Sequence, residues 1–380
     1  MTDPWETDER RALRQLARDV VAKEVATSIE QWETDGELPR ELHKTFADAG
    51  LLGVSFPEAM GGGGGDAIDS AILSEEIILG GGSGGVVAGL MTHGIAIPHM
   101  ARNGSPYLVD RYVKPTLAGE LIGALAITEP GGGSDVARLR TRAVRDGDSY
   151  VVNGSKTFIT SGVRADFVTV AVRTGGEGHG GISLLVVDKG TPGFTVDRRL
   201  DKMGWRCSDT AELGFADVRV PVENLVGQQD EGFVQIMQQF QSERLGLAVQ
   251  AYATAQRCVD LTIPWVRERE TFGRPLSSRQ VIRHRVAEMA RKAWVAKATT
   301  RAAMAAWQAT SGAVLEVSMA KNTACQLCDE VVDDAVQLFG GAGYLRDSEV
   351  ERHYRDSRIL RIGGGTDEIM NEVISKLLPL

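Results

Sequence analysis

The sequence predicts an α+β protein in three parts: an N-terminal helical domain (1–120), a middle antiparallel β-barrel-like domain (121–230) and a C-terminal four-helix bundle (231–380). Three observations carry this. The apolar residues repeat at helical spacing before about 120 and after about 231. Between those points they come in short runs parted by turn residues. No long helix separates these runs, so the sheet should be mainly antiparallel, either barrel-like or sandwiched. Finally, 380 residues are too many for one hydrophobic core.

In the first part, Leu13, Leu16, Val20 and Val21 form one stripe of a helix expected over Glu9 to Ile29, and Leu42, Phe46 and Ala49 repeat the pattern. Glycine clusters at Gly61 to Gly65 and Gly80 to Gly85 follow no strand and open no βαβ unit. They read as loops between helices, not as a dinucleotide fingerprint. In the second part, the run Leu121 to Ile127 reads as a strand. Tyr150 to Val152 and Lys156 to Thr160 flank Asn153-Gly154, which signals a hairpin. Phe167 to Val172, Ile182 to Val187, Phe194 to Val196 and Ala211 to Val220 are further strands. The third part offers long helices over Glu231 to Trp265, Gln280 to Ser311 and Ala313 to Phe339, with a last one near Thr366 to Leu377. A nicotinamide-binding fold alternates strand and helix throughout, and this order does not.

The net charge of −9 argues against nucleic acid as a partner, since phosphate binding needs a basic footprint. No apolar run reaches membrane-spanning length. The acidic start, Met1 to Glu6, lacks the basic-then-apolar order of a signal peptide. Four cysteines make no disulfide framework, so a cytoplasmic location is expected. Cys325 and Cys328 form a C-x-x-C, but within a helical pattern, where small buried residues are the better reading. The histidines show no ligand-like clustering, so no metal site is indicated.

The densest motif is Thr128-Glu129-Pro130-Gly131-Gly132-Gly133-Ser134-Asp135. Its glycines let the backbone approach something closely, and its free N–H groups suit an anion or a polar ring edge. Lys156-Thr157-Phe158-Ile159-Thr160-Ser161-Gly162 follows in the same region. Together they resemble the flavin-binding segments of the acyl-CoA dehydrogenase family. The resemblance runs over essentially the whole chain. It continues in Met203 to Thr210, Asp217 to Pro221, Arg269 to Gly273, Gln337 to Gly341, Arg355-Asp356 and Gly364 to Ile369.

The resemblance implies FAD as cofactor and an acyl-CoA as substrate. It places Leu125, Ile127, Thr128, Gly133, Ser134, Phe158, Ile159 and Thr160 around the flavin ring. Arg269, Phe272, Gln280, Gln337, Leu338, Gly340 and Gly341 would hold the pyrophosphate and adenosine part, in this family from a neighbouring subunit. Thr366, Asp367 and Glu368 match a further FAD-contacting stretch. Ser134, Gln241, Arg244, Gly364 and Gly365 match positions that line the CoA substrate. It further implies a homotetramer built as a dimer of dimers and an electron-transfer flavoprotein as acceptor. Phe158 stands where many relatives carry tryptophan, and Leu125 where some carry a bulkier aromatic.

One departure concerns the catalytic base. Many members carry a glutamate at the position of Gly364, whereas long-chain and isovaleryl types take the base from an earlier helix, at a Glu-Arg pair. Here that pair is Glu243-Arg244. The residues themselves agree in part: Phe233, Ile236, Met237, Phe240, Leu247, Ala248 and Ala251 form an apolar stripe, with Glu243 at its edge and Arg244 within it. Charges on such a face are paired or functional, and an internal salt bridge, or a Glu-Arg pair reaching the rim, remains an alternative. Two other readings stand beside a dehydrogenase: a non-catalytic subunit that keeps the fold, and a flavin oxidase or monooxygenase. The early-base arrangement implies a medium-to-long or branched acyl group.

Overall fold

The computed structural model describes residues 3–310 and 312–379. Ser311, the expected end of one helix, lies outside them, as do Met1, Thr2 and Leu380. The N-terminal part contains α1 (Asp8–Val20), α2 (Ile29–Asp35), α3 (Glu41–Asp48), α4 (Ala67–Leu79), α5 (Gly84–Leu90) and α6 (Pro98–Asn103), with shorter turns between them. The single helix expected over Glu9 to Ile29 is interrupted. After Val20 the chain widens into a π-turn over Val21–Val25, closed by Ala26 N–H donating to the Val21 carbonyl at 3.0 Å. The wide turn brings both Val21 and Val25 fully into the core. Leu16, expected on the buried stripe, is 42% exposed.

Seven strands make the middle sheet: β1 (Gly123–Ala126), β2 (Arg142–Asp146), β3 (Ser149–Thr160), β4 (Phe167–Arg173), β5 (Ile182–Asp188), β6 (Phe194–Arg199) and β7 (Thr210–Pro221). The order is β1-β4-β2-β3-β7-β6, with β5 also on β4. Pairing is antiparallel except for β1 beside β4 and a single contact of β2 with β4. Asn153-Gly154 is not a hairpin. It is an irregularity inside the continuous strand β3, where the register against β7 shifts. The hairpin lies one segment earlier, between Asp146 and Ser149, joining β2 to β3 around Gly147 at φ +64°. Gly154 has φ +147°, and a Cβ there would lie 2.7 Å from the Thr141 Cα. Its glycine therefore permits a bulge against a neighbouring backbone instead of a turn.

β4 and β5 are buried on both faces. Val168, Val170, Val172, Leu185 and Val187 point into the sheet's own core. Phe167, Ala171, Leu184 and Val186 point the other way, against Ile97, Met100 and Tyr112 of the N-terminal part. This explains their uninterrupted apolar sequence and docks the sheet onto the first domain.

The C-terminal part consists of α7 (Gly232–Glu268), α8 (Gln280–Thr310), α9 (Val314–Phe339), α10 (Glu349–Ser357) and α11 (Asp367–Leu377). α7, α8 and α9 pack on one another, α11 packs on α9, and α4 from the first part packs on α7. One hydrophobic core runs from Val21 and Ile72 through Leu245 and Tyr252 to Val331 and Leu338, so the first and last parts share an interior. Cys325 and Cys328 sit in it, and burial pushes the Cys325 thiol up to about 12. No helix is long and apolar enough to cross a membrane among the described residues.

Candidate active site

A cavity of about 450 Å³ opens where the three parts meet. Its walls include Ala71 of α4, Val87 of α5, Met91, Thr160 at the end of β3, and Glu243 and Leu247 of α7. Most of this lining is apolar, and Glu243 is the carboxylate among it.

α7 presents Glu243 and Arg244 to different partners. The Arg244 side chain is buried; its Nε donates to the Gly364 carbonyl at 3.0 Å. Among the described residues Glu243 has no ion-pair partner within 4 Å, so the internal salt bridge is not formed. Desolvation by burial raises the Glu243 pKa above the ordinary carboxylate value, and the positive charges of Arg244 and Lys321 act against that rise. Lys321, on α9, was not singled out in the sequence. It is fully buried, and its Nζ donates to the Gly365 carbonyl at 2.7 Å. A lysine in the middle of the small-residue run Met319 to Ala324 was the signal that could have found it.

Two cations therefore grip the carbonyls of the 363–366 turn, which carries Gly364 at φ +64° and Gly365 at φ +106°. A Cβ at Gly364 would lie 2.7 Å from Leu247 Cδ1 and 3.9 Å from Glu243 Oε1. The side chain missing at position 364 and the carboxylate present at 243 thus face the same spot. Thr366 caps α11, its hydroxyl accepting from Ile369 N–H at 3.3 Å. Asp367 is buried and bound to Arg361 at 2.7 Å and Gln326 at 3.2 Å. Its side chain is committed within the chain, as is the Thr366 hydroxyl in the cap, and Glu368 is the exposed group of that stretch.

On the sheet side, the Thr128–Ser134 loop is tied down by a buried ion pair. The Lys156 ammonium, with no exposed surface, donates to Ile127 O and Glu129 Oε1, both at 2.9 Å. Glu129 also accepts the backbone N–H groups of Arg140 at 2.6 Å and Thr141 at 2.8 Å. Thr157 N–H donates to the Thr128 carbonyl at 2.9 Å. Beyond this knot the loop is open. Gly131 to Ser134 are exposed, and a Cβ at Gly131 or Gly132 would meet nothing within 4 Å. Phe158 sits at a break in the β3–β7 register with φ +59° and is 68% exposed. A left-handed phenylalanine with a bare ring is an unusual conformation for a bulky residue. Ile159 turns into the sheet core and Leu125 and Ile127 are half-buried, so Ile159 offers only backbone to the loop.

The remaining predicted cofactor residues lie elsewhere. Arg269 closes α7, twenty-six residues after Glu243 on the same helix. At about 1.5 Å per residue that is ~39 Å away. Phe272 is 98% exposed with φ +53°, and Arg279 stacks near its ring at 5.7 Å. Gln280 opens α8 and is exposed. Gln337 to Gly341, at the end of α9, join this group, since Phe339 stacks on Trp265 at 4.6 Å and Trp265 donates to Leu338 O at 3.1 Å. Gln337, Gly340 and Gly341 are exposed, whereas Leu338 points into the core.

A helical part, a curled sheet and a helical bundle meet at a mostly apolar cavity that holds one carboxylate, the arrangement of an enzyme pocket for an apolar substrate. The family models for the acyl-CoA dehydrogenase N-terminal, middle and C-terminal domains match residues 7–120, 124–218 and 230–378. The chain belongs to the acyl-CoA dehydrogenase family. The long-chain specific acyl-CoA dehydrogenase of Sus scrofa mitochondria is 37% identical over 374 residues, 97% of this chain and 86% of that one. A subunit of the caffeyl-CoA reductase-Etf complex of Acetobacterium woodii is 35% identical, over 98% of both chains. Among solved structures, a probable acyl-CoA dehydrogenase from Mycobacterium abscessus shares 68% identity at a TM-score of 0.97, covering 98% of this chain and 99% of that one. A glutaryl-CoA dehydrogenase from Mycobacterium smegmatis in complex with FADH2 shares 26% identity at a TM-score of 0.92, covering 100% of this chain and 96% of that one.

Proposed function

We propose that this enzyme carries out FAD-dependent α,β-dehydrogenation of a medium-to-long or branched acyl-CoA to the trans-2-enoyl-CoA, with Glu243 as the base. The observation that carries this is an unpaired carboxylate in a mostly apolar cavity, aimed at the turn where Gly364 leaves no side chain. Glu243 takes the α-proton; its raised pKa makes it a better proton acceptor than an exposed carboxylate. The Gly364 position, freed of a side chain, leaves room for the thioester and a backbone donor where charge develops. Arg244 and Lys321 hold that turn through its carbonyls and contribute positive charge to the pocket. FAD, when bound, supplies the acceptor for the β-hydrogen as hydride. Thr128, Gly133, Ser134, Phe158 and Thr160 would hold its ring: the open glycine loop and the bare Phe158 face fit a flat polar-edged aromatic group.

Arg269, Phe272, Gln280, Gln337, Gly340 and Gly341 would hold the adenosine end of a cofactor whose ring lies in a second copy of the chain. The ~39 Å between Glu243 and Arg269 on one helix supports this, being farther than one dinucleotide reaches. It favours a homotetramer arranged as a dimer of dimers. Electrons then pass to an electron-transfer flavoprotein, an assignment favoured by the Etf-complex relative. The missing carboxylate at position 364 is what favours a non-catalytic subunit, and Glu243 beside that spot speaks against that reading.

The test is anaerobic titration of the flavin-loaded protein with an acyl-CoA series. Bleaching of the flavin absorbance is expected. A flavin that no acyl-CoA bleaches would overturn the assignment, and so would reoxidation by dioxygen as fast as by a flavoprotein acceptor. A monomer holding stoichiometric FAD would refute the shared site.

A further inference from the structure

Trp205 stands at a junction of all three parts of the molecule. Its backbone is left-handed, φ +51°, a conformation that bulky residues rarely adopt. Its N–H donates to Asp356 Oδ1 at 2.6 Å, and Gly85 N–H donates to Asp356 Oδ2 at 3.3 Å. Asp356, on α10, is 2% exposed. The close approach depends on glycines. A Cβ on Gly84 would lie 2.6 Å from Trp205 Nε1, one on Gly85 3.0 Å from Trp205 Cα, and one on Gly204 2.5 Å from the Arg355 carbonyl. One buried carboxylate thus ties the start of α5 and the 204–207 loop to the bundle, and fixes the indole in the process.

The indole so fixed lines the cavity, together with Gln250 of α7. Gln250 follows Glu243 by seven residues, on the same helix face, roughly 10 Å further along. Trp205 Nε1 and Gln250 Oε1 are both buried without a hydrogen-bond partner, although both lie within 3.4 Å of one point above Gly84. Gln250 is only 8% exposed. Such groups are normally paired in a protein interior; here they belong to two residues that line the cavity side by side. An extended acyl chain leaving Glu243 along α7 reaches it after roughly eight carbons, at C–C bonds near 1.5 Å.

We infer that Trp205 is a specificity-determining residue that limits the length of the acyl chain, and that Asp356 is the residue positioning it. This rests on the acyl-CoA reading above. Acyl groups up to about octanoyl end short of the indole, and longer ones must pass it. Asp356 touches no substrate and acts through the Trp205 backbone.

The test compares kcat/KM for straight-chain acyl-CoAs from butyryl to palmitoyl in the wild type, Trp205→Ala, Trp205→Phe and Asp356→Asn, with bound flavin absorbance as the check on folding. Trp205→Ala should raise the palmitoyl-to-octanoyl ratio roughly tenfold or more, the scale at which pocket contacts discriminate. Trp205→Phe, which keeps most of the bulk, should stay near the wild-type ratio. Asp356→Asn should move the ratio in the same direction as Trp205→Ala; a merely structural role would lower all substrates alike. An unchanged ratio in flavin-loaded Trp205→Ala would overturn the inference. So would an unchanged ratio in Asp356→Asn for the positioning role. A wild type that no acyl-CoA reduces would instead overturn the proposed function, and the inference with it.

Discussion

The two ends of α7 differ in kind. Around Glu243 the chain supplies a turn gripped by Arg244 and Lys321 and a mostly apolar cavity wall. Around Arg269 the same helix ends among exposed groups, with the Phe272 ring almost bare. A region whose functional groups are buried by its own chain is finished when the chain folds. The Arg269 end, with its aromatic 98% exposed, is not closed by the chain itself. In the proposed enzyme the first end does the chemistry and the second serves the cofactor of a neighbour.

The largest expected effect separates the ends by chemistry. Glu243→Gln keeps shape and hydrogen bonding but removes the base, so stopped-flow flavin reduction should fall by roughly 10²–10⁴-fold while FAD stays bound. In the wild type the same rate should rise with pH through the Glu243 pKa, which burial places above the ordinary carboxylate range, because only the ionised form accepts the proton. A wild-type rate in the variant would break the assignment of this end.

Acid should act next, and on the first end. His93, which lines the cavity, and His99 on α6 are buried and neutral, their pKa values lowered by desolvation from 6.5 to about 4. The unfolded chain binds these protons first, so stability falls as pH drops from about 6.5 to about 4 and levels off below. The loss is up to about 3 kcal/mol for each histidine. Urea midpoints measured across that window should show it; flat midpoints would contradict the burial.

Arg269→Ala should reach only the second end. Losing one charge-assisted contact to phosphate, about 1.5–3 kcal/mol, should weaken FAD retention by roughly 10- to 100-fold. The melting temperature of the flavin-free protein should barely move, since Arg269 is exposed and Arg269 N–H, which bonds Trp265 O, is retained. Equal FAD affinity in the variant would remove the reason to call this end a cofactor site.

The smallest effect is a matter of backbone. Gly364→Ala places a Cβ at φ +64° and 2.7 Å from Leu247 Cδ1, which should cost about 1–2 kcal/mol of stability in denaturant titrations. A neutral substitution would mean that the turn is softer than its two cationic grips imply.

By itself the sequence determined the three-part order and the long bundle helices. Each depends on local properties: hydrophobic period, turn residues and glycines where the backbone must bend. The stripe of α7 already placed Glu243 at its edge and Arg244 within it. Tertiary structure decided the rest. Asn153-Gly154 carries hairpin chemistry, yet β7 pairs along both sides of it and turns it into a bulge. Glu243 and Arg244 are neighbours in sequence, but only the folded 363–366 turn draws the arginine away and leaves the carboxylate unpaired. Lys321 stands out as a lysine in a small-residue run, and Trp205 and Asp356 fall in motifs of the family, but none of the three shows its partners locally, because their contacts come from segments tens to hundreds of residues away. Local pattern fixes which face of an element is apolar; which charge meets which carbonyl across the core is set only when the elements pack.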